Sequence, residues 1–156
     1  MIRPITPEDT EALLALASSV ALFAPDRLEE LRQLLTASFS QAGDTCPFWL
    51  TDAADGLVGL AYCEPERMTS GTWNLQLIGV HPQYQRQGRG AKLLLLVEQT
   101  LAARGARLLL VETAGTPDFE PARAFYRKHG YNEEARIREF YAEGADKLVF
   151  RKALSA

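Results

Sequence analysis

The chain is expected to fold as an α/β (α+β) domain, with a mixed sheet that contains one parallel crossover. Three observations predict this. The stretch from Thr72 to Glu112 reads as strand, helix, strand, a βαβ unit whose two strands must be parallel. Asp55-Gly56 separates two apolar runs in the way a hairpin turn does. The tail from Glu134 to Lys152 forms two extended runs about Glu143-Gly144-Ala145-Asp146, a second hairpin. The 156 residues contain no repeat or linker, so a single domain over residues 1–156 is expected.

The elements follow in order. Ile2 to Ile5 suits a short first strand. Thr6-Pro7-Glu8-Asp9 reads as a helix start, with Thr6 as cap, Pro7 at the first helical position and Asp9 as the capping-box acid. Leu13, Leu14, Leu16 and Ala17 give that helix its apolar face. Pro25-Asp26 restarts a helix, whose Leu28, Leu31, Leu34 and Leu35 fall at helical spacing, and Gly43 stops it. Phe48 to Thr51 and Leu57 to Cys63 flank the first hairpin turn. In Thr72 to Val80, Trp73, Leu75 and Leu77 alternate with Asn74 and Gln76, the period of a half-buried strand. Gly90 to Arg104 is a helix ended by Gly105. Leu108-Leu109-Leu110-Val111 is apolar without alternation, as in a strand covered on both faces. A last helix runs from about Phe119 to His129 and ends at Gly130.

Composition excludes several classes of function. The 17 basic and 20 acidic residues leave a charge of −3, which argues against a general nucleic-acid binder. No apolar run approaches the ~18 residues of a membrane span, and Met1-Ile2-Arg3-Pro4 lacks a signal-peptide layout. Neither membrane nor nucleic acid is expected as a partner, and a cytoplasmic location is. Cys46 and Cys63 are too few for a disulfide scaffold or a thiolate zinc site, and His81 and His129 belong to no metal-binding motif, so no metal is expected.

The chemistry concentrates in Gly79 to Lys92, which joins a strand to a helix. The first turn of a helix carries free N–H groups and partial positive charge. Gly88 and Gly90 remove side chains that would keep a phosphate away, and Arg86 and Arg89 add charge. The spacing is not that of a P-loop, because Lys92 is followed by Leu93. It is not the dinucleotide fingerprint either, because its third glycine is missing.

Gln85-x-x-Gly88-x-Gly90 resembles the Q/R-x-x-G-x-G/A element of the GNAT superfamily of N-acetyltransferases. Downstream, Ala122-x-x-Phe125-Tyr126-x-x-x-Gly130-Tyr131 is similar to that family's A-x-x-F-Y-x-x-x-G-F/Y element, and the order of elements matches along nearly the whole chain. One departure is Phe119, where many members carry Asn. The resemblance implies a mostly antiparallel sheet of about seven strands with a parallel, splayed central pair and about four helices. It implies acetyl-CoA as donor and co-substrate. Gln85, Arg86, Gln87, Gly88, Arg89, Gly90 and Ala91 would hold the pyrophosphate, chiefly through backbone N–H groups. The backbone of Ile78 and Val80 would hold the pantetheine arm and polarise the thioester.

Acyl transfer to an amine needs a neutral amine, a stabilised oxyanion and a protonated leaving thiolate. By the resemblance Tyr126 is the acid, against the alternative of a helix residue packed on the sheet. Glu112, at the carboxyl end of the buried strand, is the first candidate for the base, against a strand-end acid paired to a nearby Arg. Glu64 and His81 stand behind it. Arg123, Arg127 and Lys128 either meet the CoA 3′-phosphate or solvate their helix. Cys63 reads better as a buried thiol than as a nucleophile, which favours direct transfer in a ternary complex. The resemblance places acceptor specificity in Ala17 to Leu28, Thr69 to Trp73 and Phe140 to Lys147, where Trp73, Phe140 and Tyr141 either line a pocket or pack the sheet. The expected partner is an amine acceptor, a small molecule or a peptide. The acidic balance leans to a cationic one such as a polyamine, an aminoglycoside or a protein N-terminus. A homodimer is left open. The competing function is a sensor of the same fold that binds acyl-CoA without catalysis.

Overall fold

A computed structural model describes residues 1–20 and 27–154. Seven strands form one sheet: β1 (Ile2–Pro4), β2 (Phe48–Ala54), β3 (Gly56–Pro65), β4 (Thr72–Val80), β5 (Leu108–Ala114), β6 (Asn132–Ala142) and β7 (Ala145–Ala153). Their order is β1-β2-β3-β4-β5-β7-β6, and every neighbouring pair is antiparallel except β4 and β5. Among the described residues four α-helices accompany it: α1 (Thr10–Ser19), α2 (Leu28–Ser38), α3 (Arg89–Ala103) and α4 (Glu120–Lys128). This is the mixed sheet with one parallel crossover that the sequence predicts.

The helices cover opposite faces. On one, Leu13, Leu16, Leu31 and Leu35 of α1 and α2 pack on Trp49, Leu60 and Tyr62. On the other, Leu93, Leu94, Val97 and Leu101 form a single stripe of α3 over Leu75, Leu109 and Val111, joined by Tyr126, Tyr131 and Phe150. All four stripe residues are fully buried, each worth about 2 kcal/mol, and this stripe fixes the angle at which α3 leaves β4. The Tyr131 hydroxyl donates to Glu98 at 2.7 Å and Lys152 donates to the same carboxylate at 3.0 Å, which ties α3 to the tail.

Some boundaries differ from expectation for local reasons. The first helix opens as a tight turn over Pro7–Asp9 before α1 begins. Asp9 accepts from the Thr6 N–H at 2.8 Å, as a capping-box acid does, and Arg3 holds the same carboxylate at 2.8 and 3.0 Å. The expected helix start at Pro25-Asp26 lies outside the described residues. α2 ends at Ser38, before Gly43, where the Ser38 hydroxyl donates to the Leu34 carbonyl and accepts from the Trp49 indole. The tail hairpin is longer than expected on both sides, with its turn at Glu143-Gly144.

Candidate active site

The parallel ladder between β4 and β5 stops at Leu75 opposite Val111. Beyond it, β4 runs on to Val80 along β3 while β5 runs on to Ala114 along β7. Each is held by its outer neighbour and the two part company in a splay. A register shift between Tyr62 and Cys63 leaves Gln76 as the extra residue of β4 just where the splay begins. The His81 N–H donates to the Val58 carbonyl of β3. Main-chain groups alternate sides along a strand, so those of Val80 and Ile78 face the splay. These are the two residues expected to hold a peptide-like arm. The Val80 carbonyl already accepts from the Gln85 side chain at 2.9 Å, so Val80 offers its N–H and Ile78 offers both groups.

Gln85 thereby locks the turn after β4 to the strand end. Arg86 and Gly88 adopt φ of +63° and +77°, and α3 follows at once. Lys92 is the first residue of this helix whose N–H meets a chain carbonyl, that of Gly88 at 3.1 Å. The N–H groups of Arg89, Gly90 and Ala91 precede it as the free donors of the first turn. Such a row of N–H groups, bent by left-handed residues, fits a diphosphate. A side chain at Gly88 would meet no protein atom within 4 Å, and its positive φ is one that L side chains rarely adopt. A Cβ at Gly90 would lie 3.7 Å from the Phe125 ring and 3.8 Å from Val80, ordinary contact distances at the junction of α3, α4 and β4. Arg89 donates to the buried Asp52 at 2.9 Å, whereas Arg86 is exposed and has no ion pair among the described residues.

Tyr126 is 6% exposed and packs against Tyr131 and Phe150 on the α3 face of the sheet. Burial raises the pKa of its phenol, so it stays protonated and able to donate. Neither reading of Arg123 holds. It is buried and donates to the carbonyls of Ala114 and Thr116 and to Glu120, clamping the end of β5 to the start of α4. Arg127 pairs with Glu120 and Glu133. The Cys63 thiol is fully buried, and burial pushes its pKa up.

Glu112 lies one residue past Val111, and since Val111 faces α3, Glu112 faces the opposite side. Acid and base candidates therefore lie on opposite faces of the sheet. Glu112 is ion-paired, with Lys147 at 3.0 Å in place of the expected arginine. It also accepts from Asn74 at 2.9 Å. Asn74 donates to Glu66 as well, at 3.0 Å. Burial first, and then the negative charge of Glu64 on the same strand face, raise the Tyr62 pKa. The Lys147 ammonium stands 4.3 Å from the centre of the exposed Phe140 ring, and burial together with Glu112 raises the pKa of Tyr141. Trp73 belongs instead to the α3-side core, against Phe48. His81 accepts the Gln83 N–H and shapes the turn. Sequence reasoning missed Asn74, Glu66 and Lys147, whose meeting depends on the register of three strands.

Residues 44–133 match the acetyltransferase (GNAT) domain family. Among solved structures, a protein assigned to the GNAT family of acetyltransferases from Desulfovibrio desulfuricans superposes with a TM-score of 0.92 at 28% identity, covering 99% of each chain. An aminoglycoside 6′-N-acetyltransferase complexed with coenzyme A gives 0.79 at 16% identity, over 100% of this chain and 98% of the other. The ribosomal-protein-S18-alanine N-acetyltransferase from Escherichia coli gives 0.77 at 23%, over 100% and 94%. The latter two likenesses are of fold. No curated protein matches the chain significantly. No helix among the described residues is long and apolar enough to cross a membrane. Because the family match runs from the residues before β2 into β6, across the splay and its flanking helices, the chain belongs to the GNAT acetyltransferases.

Proposed function

We propose that the chain transfers an acetyl group from acetyl-CoA to a primary amine of a small molecule or peptide, by direct attack in a ternary complex. The observation that carries this reading is the splay, with free N–H groups at its head, a carboxylate past its start on β5 and a phenol on the opposite face of the sheet. The turn from Gln85 to Ala91 binds the diphosphate, mainly through main-chain N–H groups. The Ile78 and Val80 main chain aligns the pantetheine arm and one N–H there polarises the thioester carbonyl. The acceptor's amine is charged at neutral pH, with a reference pKa of about 10.4, so Glu112 first takes a proton from it; the neutral amine then forms the C–N bond as the C–S bond breaks. Tyr126 gives its proton to the departing sulfur. The burial of Cys63 favours this direct route over an acyl-enzyme.

The test is thiol release from acetyl-CoA in the presence of a panel of amines, alongside acetyl-CoA binding by calorimetry. Amine-dependent release is expected. Binding without release from any amine would assign the chain to acyl-CoA sensing instead.

A further inference from the structure

Resting on that reading, we propose that Glu66, Asn74 and Glu112 recognise a second ammonium group, so that the acceptor is a small diamine or polyamine. Asn74 sits on β4 one residue before the splay and is 1% exposed. Its amide nitrogen donates to Glu66 at 3.0 Å and to Glu112 at 2.9 Å. Carboxylates only accept, so these two bonds fix which edge of the amide is nitrogen. The amide oxygen is then the one buried side-chain polar atom among the described residues with no hydrogen-bond partner. Buried acceptors are rarely left so. That oxygen shares a carbon atom with the nitrogen holding both carboxylates, so it lies beside them.

An orphan acceptor beside two carboxylates asks for a donor that carries positive charge. An ammonium group has three N–H bonds, one for the amide oxygen and one for each carboxylate. The chain itself demonstrates the preference at one end, where the Lys147 ammonium lies 3.0 Å from Glu112. At the other end Glu66 has no ion pair among the described residues, and Glu64 on the neighbouring stretch of β3 has none either. The site is short of positive charge on the side away from the splay. Glu66 is held there by its N–H bond to Thr72, at the start of β4, while Glu112 stands at the splay. An acceptor whose reacting nitrogen is at Glu112 therefore directs its remaining chain toward Asn74 and Glu66. Asn74 is buried, so only a slender ammonium group could approach its oxygen, and the exposed Phe140 and Tyr141 beside Lys147 and Glu112 offer an acceptor's methylenes an apolar wall.

The experiment compares butylamine with putrescine, which differ by one terminal amine, and adds spermidine and a lysine-containing peptide. Thiol release is measured in the wild type, in Glu66→Gln and in Asn74→Leu, with thermal melts to check each variant's fold. The expected wild-type kcat/KM for putrescine exceeds that for butylamine by at least ten-fold, and Glu66→Gln brings the ratio close to one through KM. Calorimetric titration of putrescine into CoA-saturated wild type gives a reading without chemistry, and Glu66→Gln is expected to weaken it. Equal use of butylamine and putrescine by the wild type, a ratio unchanged by Glu66→Gln, or use of the peptide alone would overturn the inference and leave the acetyltransferase reading standing. Acetyl-CoA binding with no thiol released from any amine would overturn both.

Discussion

Arg89, the first residue of α3, donates to the buried carboxylate of Asp52 on β2 at 2.9 Å. The bond closes a loop of 37 residues and fastens the head of α3 to the sheet. The guanidinium beside the turn is thus already matched, and in the proposed reading diphosphate binding there falls to the main chain and to Arg86.

Arg89→Met is therefore expected to lower stability by about 1–3 kcal/mol, because Asp52 loses its main partner in a buried site. Its acetyl-CoA Kd should stay within about five-fold of wild type, a change of about 1 kcal/mol. Arg86→Met should do the opposite, keeping Tm and raising Kd. Melts and calorimetry on the two variants check this, and a large loss of affinity in Arg89→Met with unchanged Tm would reverse the assignment.

Tyr126→Phe removes only the hydroxyl from a ring packed against Tyr131 and Phe150. The core should keep its shape, and the KM for acetyl-CoA should hardly move. Turnover should fall by about 10²–10⁴, the range for loss of a general acid. Steady-state kinetics decide it, and a normal kcat would leave Tyr126 as packing alone.

Glu112→Gln keeps the side-chain shape while removing the proton acceptor on the far face of the splay. At about pH 7 kcat/KM should fall by about 10²-fold. The deficit should narrow as the pH rises past about 10.4, where an alkylamine becomes mostly neutral in bulk water and needs no base. A deficit that is the same at every pH would mean that Glu112 only positions Lys147 and Asn74.

Local signals carry well through this chain, and long-range pairings do not. The Asp55-Gly56 turn, the glycines after α3 and α4 and the alternation in Thr72 to Val80 are properties of neighbouring residues, and each of these elements stands where they put it, whereas α2 ends before Gly43. The splay was legible only through the family-like spacing of Gln85, Gly88 and Gly90. Asn74 was hidden because an Asn on a strand is unremarkable until register sets it against Glu112, 38 residues away. Arg123 misled for a related reason: a cation on an amphipathic helix reads as solvated, yet the carbonyls at the end of β5 needed a donor and drew it inside.

Gly90 separates two effects that the sequence merges. Its missing side chain faces Phe125 and Val80 at ordinary contact distance. Gly90→Ala should fold and bind acetyl-CoA, since a methyl group fits there. Gly90→Leu pushes further atoms into the junction of α3, α4 and β4 and should cost about 1–3 kcal/mol by overpacking, with loss of binding. Urea melts of both variants test this. A Gly90→Leu variant as stable as wild type would mean that the glycine serves only the ligand.

The acid limb of stability should trace to Asp9. Its carboxyl is lowered from 3.8 to about 2, first by the hydrogen bond from Arg3 and then by the Thr6 N–H, while burial acts in the opposite direction. A pKa depressed by folding means that the unfolded chain binds the proton more tightly, so acid favours unfolding. The contribution is fully present above about pH 4 and disappears as the pH falls through about 2. It amounts to no more than about 2 kcal/mol, because Arg3 is partly open to solvent and water screens the pair. Asp9→Asn should be less stable than wild type by that amount near neutrality, and the gap should close between about pH 4 and pH 2. Urea titrations at a series of pH values measure it. A gap that persists unchanged at the acid end would show that Asp9 acts through its shape in the turn and not through its charge.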